Sequence, residues 1–409
     1  MTSSRRRHGM EQLRYHDILY DDSPIGPYPT HLIRRRDEPT SRVPGPVERT
    51  DQRSSVFARS LLGEFGEELE REFKRMTVRY PIGAALVDLQ NHINLYPRRA
   101  NKVADKRAPI PTDPRVLSRH LKCLGYFLGA DIVGIGRLPQ SAVYSHDMKG
   151  REIDAPYPWA IALVVRKHEP TLCASNGWEE IVDPASFQAY QRIALQSEVM
   201  ADYIRRLGWN AVATNMNSYV TLMPQIALDC GIGELSRMGI VLNPFLGANF
   251  KIAAVLTDME LEADGYADFG LQEYCSSCTV CAEQCPSHAI TRGGQRLHNG
   301  YYTWKLNDRV CSDFDILNKE GCVCGRCTKV CPWHRPHMEA RDFAEWDGDL
   351  AWLHATVDEQ RARNEANGFV DPAENTRKWW FALDEVDGEL VVPTGRNPQK
   401  LCREYPLQR

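Results

Sequence analysis

Cys275-Ser-Ser-Cys278-Thr-Val-Cys281-Ala-Glu-Gln-Cys285-Pro286 is answered downstream by Cys324-Gly-Arg-Cys327-Thr-Lys-Val-Cys331-Pro332. A [4Fe–4S] cubane needs four thiolates converging on four irons. In the bacterial two-cluster arrangement, a C-x2-C-x2-C-x3-C-P run gives three ligands to one cluster and its fourth to the other. The first run has that spacing. The second lacks its first near ligand, which either Cys311 or Cys322 can supply. One residue between Cys322 and Cys324 suits a cubane corner poorly, so Cys311 is preferred. By the crossing rule Cys275, Cys278, Cys281 and Cys331 hold one cluster. Cys285, Cys311, Cys324 and Cys327 hold the other. Structural zinc would use paired CxxC sets with four local ligands, and two interleaved runs do not match that pattern.

Outside this region the thiols thin out. Nine of the thirteen cysteines lie between Cys275 and Cys331, leaving Cys123, Cys173, Cys230 and Cys402 scattered. A dense patch at fixed spacing inside a chain of 409 residues reads as metal ligation rather than oxidative stapling. The scattered four are expected to be buried thiols of no chemical importance. A net charge of −4 gives no whole-molecule reason to bind nucleic acid or an anionic membrane. No stretch approaches the length of a spanning helix. Arg5, Arg6 and Arg7 suggest a twin-arginine leader, but no apolar segment follows them. A cytoplasmic location is therefore expected, an exported form with a missing leader being the alternative.

Residues 1–56 are rich in Arg, Pro and Ser and suit an extended arm, disordered or wrapped over the body. Apolar residues then recur at helical spacing from Ser55 to Met76. Asp113-Pro114 opens another helix, with Asp as its cap and Pro at N1. Ala130-Asp-Ile-Val-Gly-Ile-Gly136 and Trp159-Ala-Ile-Ala-Leu-Val-Val165 are short, apolar runs, the mark of strands covered on both faces. A long helix from Ser186 to Leu207, a strand at Asn210–Thr214, a helix at Leu222–Cys230 and a strand at Phe250–Thr257 follow. Strands alternating with helices argue an α/β layer domain. After Pro332 the chain reads as polar helix over Arg341–Asn367, then aromatic at Trp379, Trp380 and Phe381.

A ferredoxin needs only a fraction of this length. From Phe57 to the second cysteine run the chain resembles the corrinoid-dependent reductive dehalogenases. The most specific stretch is Gly231-Ile-Gly-Glu-Leu-Ser-Arg-Met-Gly-Ile-Val-Leu-Asn-Pro244. Others are Arg137 to His146, Ala189-Tyr190-Gln191-Arg192, and the excursion from Cys311 to Cys324. The resemblance implies a nitroreductase-like α/β core that binds cobalamin, with an inserted or appended ferredoxin-like unit of two [4Fe–4S] clusters. The corresponding domains are residues 57–265 for corrinoid and substrate, 266–340 for the clusters, and 341–409 as a tail packing on the core. It also implies removal of halide from an organohalide. No DxHxxG-type segment offers a cobalt-ligating histidine, which agrees with a base-off corrinoid.

Carbon must then be protonated. In the family the donor is a tyrosine, and Tyr190 matches its position; Lys251 matches the family's basic partner. A phenol is a weak acid unless a nearby cation favours the phenolate. Asn215 and Asn217 sit at a strand end, where ligands of α/β sheets bind, and either can match the family's active-site Asn. Gly247-Ala248-Asn249 departs from the more basic segment expected there. His288 is expected to pack on a cluster, and Trp304, Trp333, Trp379 and Trp380 to fill core, walling the substrate pocket being the alternative. The reductant is expected to be a separate protein such as ferredoxin or flavodoxin.

Two rivals stand beside this reading. One is epoxyqueuosine reductase, a related two-cluster corrinoid enzyme acting on tRNA, which should carry a catalytic Asp, a helical-repeat C-terminal domain and a basic groove. The other is a non-catalytic iron–sulfur electron carrier, which would show no corrinoid absorption.

Overall fold

The computed structural model describes residues 23–43, 45–76, 81–95, 102–174, 182–317 and 324–333, with short pieces at 355, 357–359, 361–362 and 384–391. Cys322, Cys402, Arg5–Arg7, Trp379, Trp380 and most of the tail lie outside the described residues. In chain order the elements used below are β1 (Arg34–Arg36), α1 (Val56–Leu61), α2 (Glu67–Met76), α3 (Pro81–Leu95), α4 (Pro114–Phe127), β2 (Ile132–Arg137), β3 (Trp159–Arg166), α5 (Val182–Arg206), β4 (Ala211–Thr214), α6 (Met223–Asp229), β5 (Glu234–Leu235), β6 (Val241–Leu242), β7 (Phe250–Thr257) and β8 (Tyr266–Asp268). The cysteine region adds α7 (Leu271–Ser277), α8 (Val280–Glu283), α9 (Asp308–Leu317) and α10 (Arg326–Lys329). Among the described residues no helix is long and apolar enough to cross a membrane.

The centre is a four-stranded sheet in the order β2-β3-β7-β4, every neighbouring pair antiparallel. Apolar runs without alternation imply burial on both faces, and β3 shows it: Ala160 through Val165 are each 0% exposed. One face carries Ile135, Ile161, Leu163 and Val255 against Ala189 and Ile193 of α5 and Leu117 and Leu121 of α4. The other carries Ala160, Ala162, Ala254 and Leu256 against Ile226 of α6, and that core runs on to Cys275, Cys281 and Trp333. The fold class is therefore mixed α/β, with the cysteine region sharing the core of one sheet face.

Local signals placed most elements. Asp113 caps α4 by accepting from the Arg115 amide, with Pro114 in the first turn. Strand β7 has the bounds expected of it. The stretch 55–76 differs: it is two helices, α1 and α2, broken where Gly63 (φ +75°) and Gly66 (φ +103°) turn into the left-handed region. Amphipathic spacing continues across that break, so periodicity alone hides it. The described part of residues 1–56 lies on the body. Arg34–Arg36 pair with β8, and Arg49 donates to the carbonyls of Val143, Tyr144 and Ile153.

Gly134 and Gly136 of β2 let α6 press against the sheet. A Cβ on Gly136 would lie 2.0 Å from the Asp229 carbonyl oxygen, and one on Gly134 2.2 Å from that of Cys230. Gly136→Ala is expected to cost about 1–3 kcal/mol by overpacking, measured as a lower thermal unfolding midpoint.

Candidate functional site

The cysteines form two groups. Cys275 neighbours Cys278 and Cys281, and Cys281 neighbours Cys331. Cys311 neighbours Cys285 and Cys324, and Cys327 neighbours Cys324, Cys281 and Cys311, so the two groups touch at Cys327 and Cys281. Cys331 thus neighbours a cysteine of the first run, and Cys285 and Cys311 neighbour cysteines of the second. All eight are free thiols. Burial pushes the Cys275, Cys281 and Cys311 thiols well up, and that of Cys324 to about 12. Thiols so placed ionise when a metal centre takes them as ligands. Among the described residues, no three His, Cys, Asp or Glu side chains stand at single-ion spacing. A cubane distributes four thiolates over four irons, so its ligands stand farther apart than those of zinc.

The Gly231–Pro244 stretch supplies a residue that spacing rules had not singled out. The β5–β6 hairpin presents Arg237, 2% exposed, to the first run. Its guanidinium donates to the carbonyls of Cys275 (2.7 Å), Cys278 (2.9 Å), Thr291 (3.0 Å) and Gly293 (2.9 Å) and lies over the Trp304 ring. One planar fork thereby fixes the loop that carries three cysteines. Trp333 packs on Phe269 and Tyr274 and donates to the Pro244 carbonyl, filling core as expected. His288 is exposed, in a left-handed turn at φ +54°, and its amide donates to the Cys285 carbonyl at 3.1 Å. Cys123 is exposed rather than buried, while Cys230 is buried.

Buried polar side chains, collectively the polar chamber, gather where the ends of β3 and β7 meet α5. Val165 pairs with Lys251 in the β3–β7 ladder, and the Lys167 amide extends that ladder by donating to the Asn249 carbonyl at 3.0 Å. Paired residues share a sheet face and alternate residues return to it. Lys167, Asn249 and Lys251 therefore all point toward α5. The first turns of α5 bring Asp183 and Tyr190 over them. The Lys251 ammonium stands 4.4 Å from the Tyr190 ring centroid, on the ring face rather than at the hydroxyl. That hydroxyl is hydrogen-bonded with Tyr219, whose proton burial holds firmly in place. Lys167 neighbours both Lys251 and Cys327. Asp183 neighbours Lys251, and burial raises its carboxyl to about 8.

The two asparagines separate. Asn215 is 0% exposed; its amide donates to Ser197 and Glu198, and its oxygen accepts from Gln90. Asn217 is exposed in a left-handed turn and bonds Asn91. Glu198, 3% exposed, has its carboxyl raised by burial to about 7 from 4.5. The folded state therefore binds the proton more tightly than the unfolded chain. Its contribution to stability is full below about 4.5 and is lost as pH rises to about 7. Glu198→Gln is expected to flatten the fall in stability between pH 5 and 7.5 by on the order of 2 kcal/mol, measured by denaturant unfolding at both values.

No family model matches the chain. It is similar to the tetrachloroethene reductive dehalogenase of Sulfurospirillum multivorans, 28% identical over 279 residues, covering 59% of this chain and 55% of that protein. A shorter likeness, 30% identical over 136 residues, covers 30% of this chain and 43% of an epoxyqueuosine reductase from Leadbetterella byssophila. Among solved structures, the catabolic reductive dehalogenase NpRdhA in complex with 3-bromo-4-hydroxybenzoic acid superposes with a TM-score of 0.80 and 31% identity, covering 90% of this chain and 53% of that one. The chain spans about half the length of the dehalogenases it matches. In sequence and in fold alike, the chain is similar to reductive dehalogenases over the part of their length that it spans.

Proposed function

We propose that this chain is a cobalamin-dependent reductive dehalogenase, passing electrons through two [4Fe–4S] clusters and removing halide from an organohalide. The observation that carries the reading is Lys251 standing 4.4 Å from the Tyr190 ring centre, in a chain with eight free cysteines at cluster spacing. In this reading Cys275, Cys278, Cys281 and Cys331 hold the first cluster, and Cys285, Cys311, Cys324 and Cys327 the second. When bound, a base-off corrinoid supplies the metal centre that takes electrons from the clusters and acts on the carbon–halogen bond. The chamber suits an amide-rich group of that kind: the Asn249 side chain is 1% exposed, yet neither of its amide atoms has a protein partner, a costly state unless a ligand meets them.

Tyr190 is the proposed proton donor. Tyr219, hydrogen-bonded with Tyr190 and holding its own proton, keeps the Tyr190 hydroxyl in place. Lys251 faces the ring, where its charge favours the electron-rich phenolate left behind. Asn215, already bonded to Ser197 and Glu198, fixes the turn that carries Tyr219. Asn217 contributes no such contact to the chamber. The core of residues 57–265 is read as nitroreductase-like, residues 266–340 as the cluster unit, 341–409 as a tail on the core and 1–56 as an arm. A separate ferredoxin or flavodoxin would supply the electrons.

The test is halide release across aryl and alkyl halides by protein reconstituted anaerobically with iron, sulfide and cobalamin, under a chemical reductant. Release that depends on cobalamin is expected. Clusters without corrinoid uptake would instead make the chain an electron carrier, and turnover of epoxyqueuosine in tRNA without halide release would favour the epoxyqueuosine reductase reading.

A further inference from the structure

Arg237 is a buried cation bonded on every side and yet without an opposite charge. It sits in the turn of the β5–β6 hairpin, 2% exposed. A guanidinium has five N–H groups, accepts nothing and stays charged in proteins. Each hydrogen bond that Arg237 makes ends on a backbone carbonyl: Cys275 (2.7 and 3.0 Å), Ser276 (3.3 Å), Cys278 (2.9 Å), Thr291 (3.0 Å) and Gly293 (2.9 Å). Among the described residues no carboxylate pairs with it. Carbonyl dipoles satisfy the donors but leave the charge unanswered, and a buried charge of that kind is destabilising.

Fastening a loop needs donors only, so the charge calls for its own account. Cys275 and Cys278, whose carbonyls Arg237 binds, are also ligands of the first cluster in the reading above. Trp304, itself 2% exposed, lies over the guanidinium at 5.0 Å and helps to keep water from screening it. The hydrogen bonds and the ring contact all fall between Cys275 and Trp304, and none reaches Cys285, Cys311, Cys324 or Cys327. A cubane held by four thiolates carries net negative charge, which grows by one on reduction. A cation fixed beside it in a low-dielectric interior stabilises the reduced form more than the oxidised one.

We propose that Arg237 is the counter-charge of the first cluster: its buried guanidinium, bonded to the carbonyls of two cluster cysteines and to no carboxylate, raises the reduction potential of that cluster in preference to the second. The step it favours moves one electron from the reductant onto the cluster, with no bond made or broken. This rests on the cluster assignment in the preceding section. Arg237 acts through the cluster, so it is a positioning residue of the electron path.

The experiment is a potentiometric titration of the anaerobically reconstituted full chain with dithionite, followed by electron paramagnetic resonance. The first cluster is identified as the one whose signal changes in Cys278→Ser. In Arg237→Met its reduced-to-oxidised ratio at a fixed potential is expected to fall at least tenfold, a shift of about 59 mV for one electron. The second cluster should stay within about threefold. Arg237→Lys keeps a charge but lacks the planar fork, so a counter-charge and a mere fastening part there: its first cluster should also stay within about threefold of the unmodified protein. A smaller fall in Arg237→Met overturns the proposal, and so does an equal shift of both clusters or an equal fall in both variants. If Arg237→Met does not hold the first cluster, Arg237→Lys decides alone: a ratio within about threefold supports the counter-charge, and a larger fall overturns it. Loss of the first cluster in both variants would make Arg237 a fastening of the loop only, which also overturns the proposal. Failure of the unmodified protein to hold two clusters would sink the cluster assignment itself, a separate outcome read before any variant is made.

Discussion

Cys331→Ser is expected to remove the cluster of the first run, although Cys331 ends the second. Iron should fall from about eight to about four per chain, with the remaining signal matching that left by Cys275→Ser. Cys285→Ser should instead match Cys324→Ser. The reason is spatial: Cys331 stands by Cys281, while Cys285 stands by Cys311 and Cys324. A ligand run that closes on itself would give the opposite pairing, with Cys331→Ser resembling Cys324→Ser. Iron analysis and the spectra of the four variants decide between the two.

Tyr190→Phe is expected to lower the rate of halide release about 10²–10⁴-fold while iron and corrinoid content stay unchanged. The phenyl ring preserves the packing with Phe187 and the face presented to Lys251. What it deletes is the hydroxyl bonded to Tyr219, hence the transferable proton. The chamber holds a second acid in Asp183, whose carboxyl is raised to about 8 and so is largely protonated at neutral pH. A Tyr190→Phe protein at full rate, with Asp183→Asn inactive, would move the acid from the phenol to the carboxyl.

The cysteine runs were legible because they come at short, fixed spacing, the spacing that cubane ligation uses. Strands β3 and β7 were legible because an apolar run without alternation has few other uses. The helix break at Gly63 and Gly66 was not, since amphipathic spacing persists across it. Nor was α3, whose Gln90 and Asn94 tie down the turn after β4. The chamber was legible only in part. Tyr190 and Lys251 came from family resemblance, but Lys167 follows Val-Val-Arg and reads as an ordinary solvated strand end. Its burial is set by the register with β7 and by α5 overhead, and neither is encoded nearby in the chain. The choice between Asn215 and Asn217 likewise turned on tertiary contact: the first lies under α5, the second on the surface.

The most direct measurement is the metal and cofactor content of the full chain after anaerobic reconstitution and removal of unbound material. Two clusters feeding a corrinoid chamber predict about eight irons and about one cobalt per chain. Iron near zero, or cobalt that washes away entirely, would contradict it.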